Sequence, residues 1–162
     1  MILKNKFILS SLIVMIIILA SCQKNNLNKD ISQTKDKTIE KQVALSIDTF
    51  STFPPEIDGC SCYFSNDSIE FKQEKYIFMN DFAETSFLKI NGILTKFTQI
   101  DFKEIDSLNT IARYKSGNLN MTIELKDGKQ NGDETYLKTG KIKLTNKNGK
   151  TITKTFYGEC GC

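Results

Sequence analysis

The chain of 162 residues contains no histidine and no tryptophan, and its one arginine is Arg113. Without histidine, Ser-His-Asp and Cys-His catalysis are excluded, and the commonest transition-metal ligand goes with them. No nucleophile motif stands in for them, so a non-catalytic protein is expected and no cofactor is implied. Strong charge of one sign is also missing. The formal net charge of +3 includes Lys4 and Lys6, and +1 remains when those two are set aside. A near-neutral mixed surface lacks the basic stripe that nucleic acid requires, so nucleic acid is not an expected partner. No internal repeat is visible. The abundance of Lys, Asn and Ile beside a single arginine looks like the product of an AT-rich genome.

Long hydrophobic runs are scarce as well. The longest, Phe7 to Leu19, is about 13 residues and falls short of the roughly 20 that a membrane-spanning helix needs. It has the make-up of a signal peptide: Lys4 and Lys6 ahead of it, then the small pair Ala20-Ser21, then Cys22. Leu19-Ala20-Ser21-Cys22 closes a bacterial lipoprotein signal, in which the thiol takes a diacylglycerol. The bond before it is then cut, and the new α-amine receives a further fatty acyl chain such as palmitate. Two acyl chains already suffice for stable anchoring, so the expected partner at the N-terminus is the membrane, reached through lipid on Cys22. Gln23 is not the Asp of an inner-membrane retention signal. Lys24-Asn25-Asn26 lacks the acidic run of a surface-export signal. An outer-membrane lipoprotein facing the periplasm is therefore expected.

Three segments follow. Residues 1–21 are the signal peptide. Residues 22–42 are polar, with Leu27, Ile31 and Ile39 as isolated apolar residues, and read as a lipidated flexible tether with a reach of about 25 Å. Residues 43–162 carry short β-rich runs broken by turn dipeptides, which implies an all-β domain. Val43 to Ile47 alternates. Cys60 to Ser65 and Ile69 to Phe71 flank Asn66-Asp67-Ser68, and Tyr76 to Met79 is a compact apolar run. Phe87 to Ile90 and Ile93 to Phe97 flank Asn91-Gly92, the strongest hairpin signal in the chain. Leu119, Met121, Ile123 and Leu125 share one face, after which Asp127-Gly128 is expected to turn the chain. Tyr136 to Leu144 and Thr151 to Tyr157 flank Asn148-Gly149. Only Asp101 to Asn109, with Phe102, Ile105 and Leu108 three apart, suggests a helical turn. Eight or so strands joined by hairpins imply an antiparallel meander closing into a small barrel or a sandwich.

Five cysteines are present, and Cys22 is assigned to lipid. The other four form two Cys-x-Cys elements, Cys60/Cys62 at the start of the domain and Cys160/Cys162 at the end of the chain. In a strand, residues i and i+2 point the same way, so each element presents two sulfurs side by side. Bonding within an element strains the geometry, whereas two neighbouring strands can be joined by two bridges. Antiparallel strands give Cys60–Cys162 and Cys62–Cys160; parallel strands give Cys60–Cys160 and Cys62–Cys162. Closing a loop of roughly 100 residues removes about 4–5 kcal/mol of unfolded-state entropy in the chain-entropy model. The alternatives are a zinc or copper(I) site made of the four thiolates, and a redox-active thiol set. The oxidising compartment and the Cys-x-Cys spacing favour disulfides.

Two further patterns involve acidic residues. Asp127, Asn131 and Gly132 fit part of a calcium loop, but Lys129 and Lys138 occupy two ligand positions. Asp101, Glu104 and Asp106 form an acidic run that reads as a solvated loop.

Asp67-Ser68-Ile69 and Asp106-Ser107-Leu108 match an Asp-Ser-apolar pattern that looks like the general O-glycosylation signal of Bacteroidota. With the signal peptide, the tether and the two motifs Gly59-Cys60-Ser61-Cys62-Tyr63-Phe64-Ser65 and Gly158-Glu159-Cys160-Gly161-Cys162, the chain resembles small lipoproteins of that phylum with no assigned activity. A second resemblance is architectural, to the membrane-bound inhibitors of c-type lysozyme, which are lipoproteins with an eight-stranded barrel. Their Ser-Gly-x-x-Tyr pattern is not reproduced, since Tyr114-Lys115-Ser116-Gly117 has its elements in another order. The sequence thus implies a lipid-anchored envelope module that binds or supports, with a metal-binding lipoprotein or a lysozyme-inhibitor-like protein as alternatives.

Overall fold

The computed structural model describes residues 44–162. The segments expected to be signal peptide and tether, with Cys22 as the expected lipid site, and also Val43, lie outside the described residues. Nine strands follow in chain order: β1 (Ile47–Asp48), β2 (Ser61–Ser65), β3 (Phe78–Asn80), β4 (Thr85–Ile90), β5 (Ile93–Glu104), β6 (Asn109–Ser116), β7 (Leu119–Gln130), β8 (Thr135–Thr145) and β9 (Thr151–Gly161). One short helix, α1 (Ser68–Lys72), lies between β2 and β3. All pairings are antiparallel, in the order β4-β3-β2-β9-β8-β7-β6-β5, and β5 returns to β4. That last pairing closes an eight-stranded barrel and excludes the sandwich. The two-residue β1 adds to the end of β4 and, among the described residues, only its Ile47 belongs to the alternating segment expected over Val43 to Ile47.

Turn chemistry sets the registers. Asn91 (φ 48°) and Gly92 (φ 81°) both have positive φ, the requirement of a two-residue turn matched to strand twist. The side chain of Asn91 accepts from the Ser46 N–H at 2.8 Å, and Asp48 accepts from the Gly92 N–H at 2.6 Å, so the chain enters the barrel pinned to this hairpin. In the β8–β9 turn, Asn146 Oδ1 accepts from the N–H groups of Asn148 and Lys150, each at 3.0 Å. This end of the barrel, with the β4–β5, β6–β7 and β8–β9 turns, is the closed end.

Three local expectations are corrected. Ile69 to Phe71 is the helix α1, because Asp67 accepts from the N–H groups of Ile69 and Glu70, each at 2.8 Å, and caps it. Asp101 to Asn109 is not a helical turn: β5 runs on to Glu104. Asp106 then accepts from the N–H groups of Leu108 and Asn109, each at 2.9 Å, to shape the loop. Phe102, Ile105 and Leu108 are all about half exposed, so no buried face rewards a helix there. Asp127-Gly128 does not turn the chain. The strand bulges between Asp127 and Gln130 and the turn falls at residues 131–134.

Inward side chains form the main core. Phe64, Phe78, Phe97, Leu88, Met121, Ile142 and Leu144 have essentially no exposed surface. The Phe64 and Phe156 rings stack at 4.2 Å, and Phe64 meets Phe78 at 5.2 Å. Gly140 and Gly158 make this possible. A Cβ on Gly140 would overlap the Glu124 carbonyl oxygen and stand 2.7 Å from Phe156 Cζ, and one on Gly158 would overlap the Tyr63 carbonyl oxygen and stand 2.7 Å from Phe64 Cδ1. A second cluster packs on the opposite face of β2, β3 and β4. There Ile57, Tyr76, Met79 and Phe87 pack with the partly buried Phe50, Tyr63 and Phe71.

Candidate functional site: the open end of the barrel

Toward the other end, the inward residues of each long strand change character. On β5, Phe97 gives way to Gln99; on β6, Tyr114 is followed upward by Ala112 and Thr110. On β7, Ile123 leads to Leu125 and Asp127; on β8, Ile142 leads to Gly140 and Lys138. On β9, Phe156 leads to Gly158 and Cys160. Small or polar side chains at these positions cannot fill an eight-stranded barrel. A cavity of about 540 Å³ results, opening to solvent at this end. Its floor is Phe64, Phe78, Tyr114 and Ile123, and its lip carries Phe82 and Phe102, which are 52% and 53% exposed.

Polar groups in the cavity are few and held in place. Asn80, at the end of β3, accepts from the Cys62 N–H at 3.1 Å. The Tyr114 hydroxyl is raised above the ordinary tyrosine range because it is buried; a hydrogen bond to Asn80 opposes the shift and the Asp81 carboxylate adds to it. Lys138 Nζ donates to Asp127 Oδ1 at 2.8 Å, and its side chain is 13% exposed. The ammonium also lies 5.9 Å from the centre of the Tyr136 ring.

The cysteines meet here. Cys62–Cys160 and Cys60–Cys162 are the disulfides, joining strands across sequence separations of 98 and 102 residues with Cα atoms 4.0 Å apart. The β2–β9 pairing is antiparallel with Cys62 opposite Cys160, which decides between the two connectivities. Because the Cys62 N–H points to Asn80 on β3, Cys62 and Cys160 face one another as a non-hydrogen-bonded pair, the closer kind. This inner bond lines the cavity and the outer one sits at the rim. With the sulfurs joined in pairs, the four-thiolate metal set is not formed.

Other candidate residues stay apart. Lys138, at the would-be twelfth calcium position, pairs with Asp127 at the first, and Asn131 Nδ2 donates to Glu159 at 3.0 Å. Asp101 is taken by Arg113, and the Asp106 carboxyl is held below the usual range by accepting from the Leu108 N–H and then from Asn109. Among the described residues no group of three or more Cys, Asp or Glu side chains converges on a metal position. Ser68 and Ser107 are both exposed beside aspartates that cap the following backbone. Tyr114 points into the barrel, while Ser116 ends β6 and Gly117 begins the β6–β7 turn at the closed end, so the Tyr-Lys-Ser-Gly elements do not share a surface.

Of the cavity residues, sequence motifs include only the two cysteines, Phe64, Tyr114, Asp127 and Lys138. The available signal was the change along each inward face from large apolar to small or polar at one end. What fold and cavity define together is a small disulfide-clamped calyx. Comparisons of the chain with protein-family models, curated proteins and solved structures found no match.

Proposed function

We propose that this chain is a lipid-anchored, non-catalytic lipoprotein of the cell envelope whose barrel binds a small, largely apolar molecule in the cavity at its open end. The observation that carries this reading is the cavity itself. Its volume of about 540 Å³ falls within the span of small-molecule sites, and it combines an aromatic floor with a few fixed polar groups. The two disulfides support it, since they tie the wall of the cavity where β2 is only five residues long. The Leu-Ala-Ser-Cys22 signal supports the anchor, and Gln23 supports placement on the periplasmic side of the outer membrane. The absence of histidine from the whole sequence supports a binding role over a catalytic one.

The test is titration with N-phenyl-1-naphthylamine, a neutral apolar fluorophore. Saturable one-to-one enhancement is expected, and its loss in Ala112→Trp and, independently, in Thr110→Trp. Enhancement that survives both substitutions in folded protein overturns the cavity as the site. For the anchor, Cys22→Ser should abolish incorporation of labelled fatty acid and leave the precursor uncut; a mutant that still takes the label overturns lipidation. Degradation of the domain by protease added to intact cells would overturn the periplasmic placement.

A further inference from the structure

The three loops that frame the cavity are acidic throughout. Residues 81–84, 104–109 and 131–134 carry Asp81, Glu84, Glu104, Asp106, Asp133 and Glu134, with no lysine or arginine among them. The tight turns of the closed end, 91–92, 117–118 and 146–150, carry no carboxylate and two lysines, Lys147 and Lys150; the longer 66–77 connection there is mixed. The loops at the mouth are therefore acidic and the tight turns of the closed end are not, with Lys103, Lys126 and Lys129 on the strand ends beside the mouth and Asp48 against the 91–92 turn.

Inside the mouth the balance has the same sign. The charged residues of the lining are Glu84, Asp127 and Lys138. Lys138 is taken up by Asp127, which leaves Glu84 with no cationic partner among the described residues. The exposed rings of Phe82 and Phe102 stand at the same lip, and aromatic faces attract cations.

Resting on the proposal that the cavity is a ligand site, we infer that its mouth selects apolar molecules bearing a cationic group, an amine or quaternary ammonium, over those bearing a carboxylate. The apolar body enters among Phe64, Phe78 and Ile123. The cation stays at the lip, where Glu84 and the two phenylalanines meet it and the acidic loops raise its local concentration. A carboxylate in the same place would face Glu84 and would have to displace Asp127 from Lys138.

The experiment is isothermal titration of the folded domain with decyltrimethylammonium, decanoate and 1-decanol, each below its aggregation concentration. The ammonium is expected to bind about three- to fivefold more tightly than decanoate, the size of one exposed charge interaction, and the gap should narrow in high salt. Glu84→Gln, on an exposed loop, should shrink the preference, and Lys138→Met should widen it. Equal or reversed affinities for ammonium and carboxylate, with decanol still bound, overturn this inference alone. Failure of all three to bind overturns the cavity reading along with it.

Discussion

The lower and upper halves of the barrel interior are built on the same strands and the same alternation of side chains, yet one is filled and the other is open. In the lower half, Phe64, Phe97, Phe156, Met121, Ile142 and Leu144 meet across the axis, and Gly140 and Gly158 leave room for the rings. In the upper half the inward positions pass to Ala112, Thr110, Asn80, Gln99 and a cystine. The difference teaches that closure and filling are separate properties of a barrel. The β4–β5 pairing that closes the circle runs from Ile90 opposite Ile93 to Thr85 opposite Thr98, β5 continues beyond it on β6 alone, and side-chain volume decides where space is left inside. The lower half is the part whose removal should unfold the domain. The upper half is the part that can be altered with little loss of stability.

The largest effect should come from the two disulfides of the upper half, the exception to its tolerance, because they act on the unfolded chain. Reducing both disulfides is expected to cost about 5–7 kcal/mol, because the chain is freed from a loop of nearly 100 residues. Removing either pair alone, as Cys60→Ser with Cys162→Ser, should cost only about 2 kcal/mol, since the remaining bond still closes the long loop. Denaturant unfolding of the three forms checks this, and a double loss that costs only the sum of the two single losses would show that the bonds act independently.

Next in size is Phe156→Ala, expected to lose about 3–5 kcal/mol by emptying the stacked lower core. Its counterpart in the upper half, Ala112→Leu, should change stability by no more than about 1 kcal/mol in either direction, because it grows into existing space. A cost for Ala112→Leu comparable to that of Phe156→Ala would remove the distinction between the halves. Gly140→Ala sits at the boundary and should cost at least about 3 kcal/mol, since its Cβ would overlap the Glu124 carbonyl oxygen on β7 as well as meet the Phe156 ring.

The smallest effect concerns the cluster outside the barrel. Tyr63 donates to Glu159, and its hydroxyl is raised well above the ordinary tyrosine range, first by burial and then by that carboxylate. In the unfolded chain it ionises near the usual value of about 10, while the folded chain keeps the proton. Stability should therefore be constant below that pH and fall as pH climbs through and above it, with Tyr76 and Tyr114 acting in the same direction. Urea unfolding at stepped alkaline pH should give a shallower decline for Tyr63→Phe; an unchanged slope would mean that Tyr63 is not shielded.

Much of the barrel was legible because its signals are local. Asn91-Gly92 demands one turn geometry, and Met121 and Ile123 face one way because strand period is two. The paired Cys-x-Cys elements implied two cross-bridges, and strand direction chose between the connectivities. What stayed hidden depends on context. Asp67 reads equally as a turn residue or a helix cap, and only Ser68–Lys72 folding back beside β2 and β9 decides it. Asp127-Gly128 reads as a turn, but Lys138 opposite Asp127 keeps the strand going to a bulge. The cavity was hidden for a different reason. An inward alanine is unremarkable in any one strand, and empty space appears only when Ala112, Thr110, Gln99 and Asn80 are brought together by the register of separate strands.

The most direct test of an open upper half above a filled lower half is a methyl NMR titration of the folded domain with decyltrimethylammonium. The expected result is saturable shifts at Ala112, Thr110, Ile123 and Leu125, with Met121, Ile142 and Leu144 unmoved. Shifts spread through the lower core, or confined to the outer cluster around Ile57 and Met79, would contradict it.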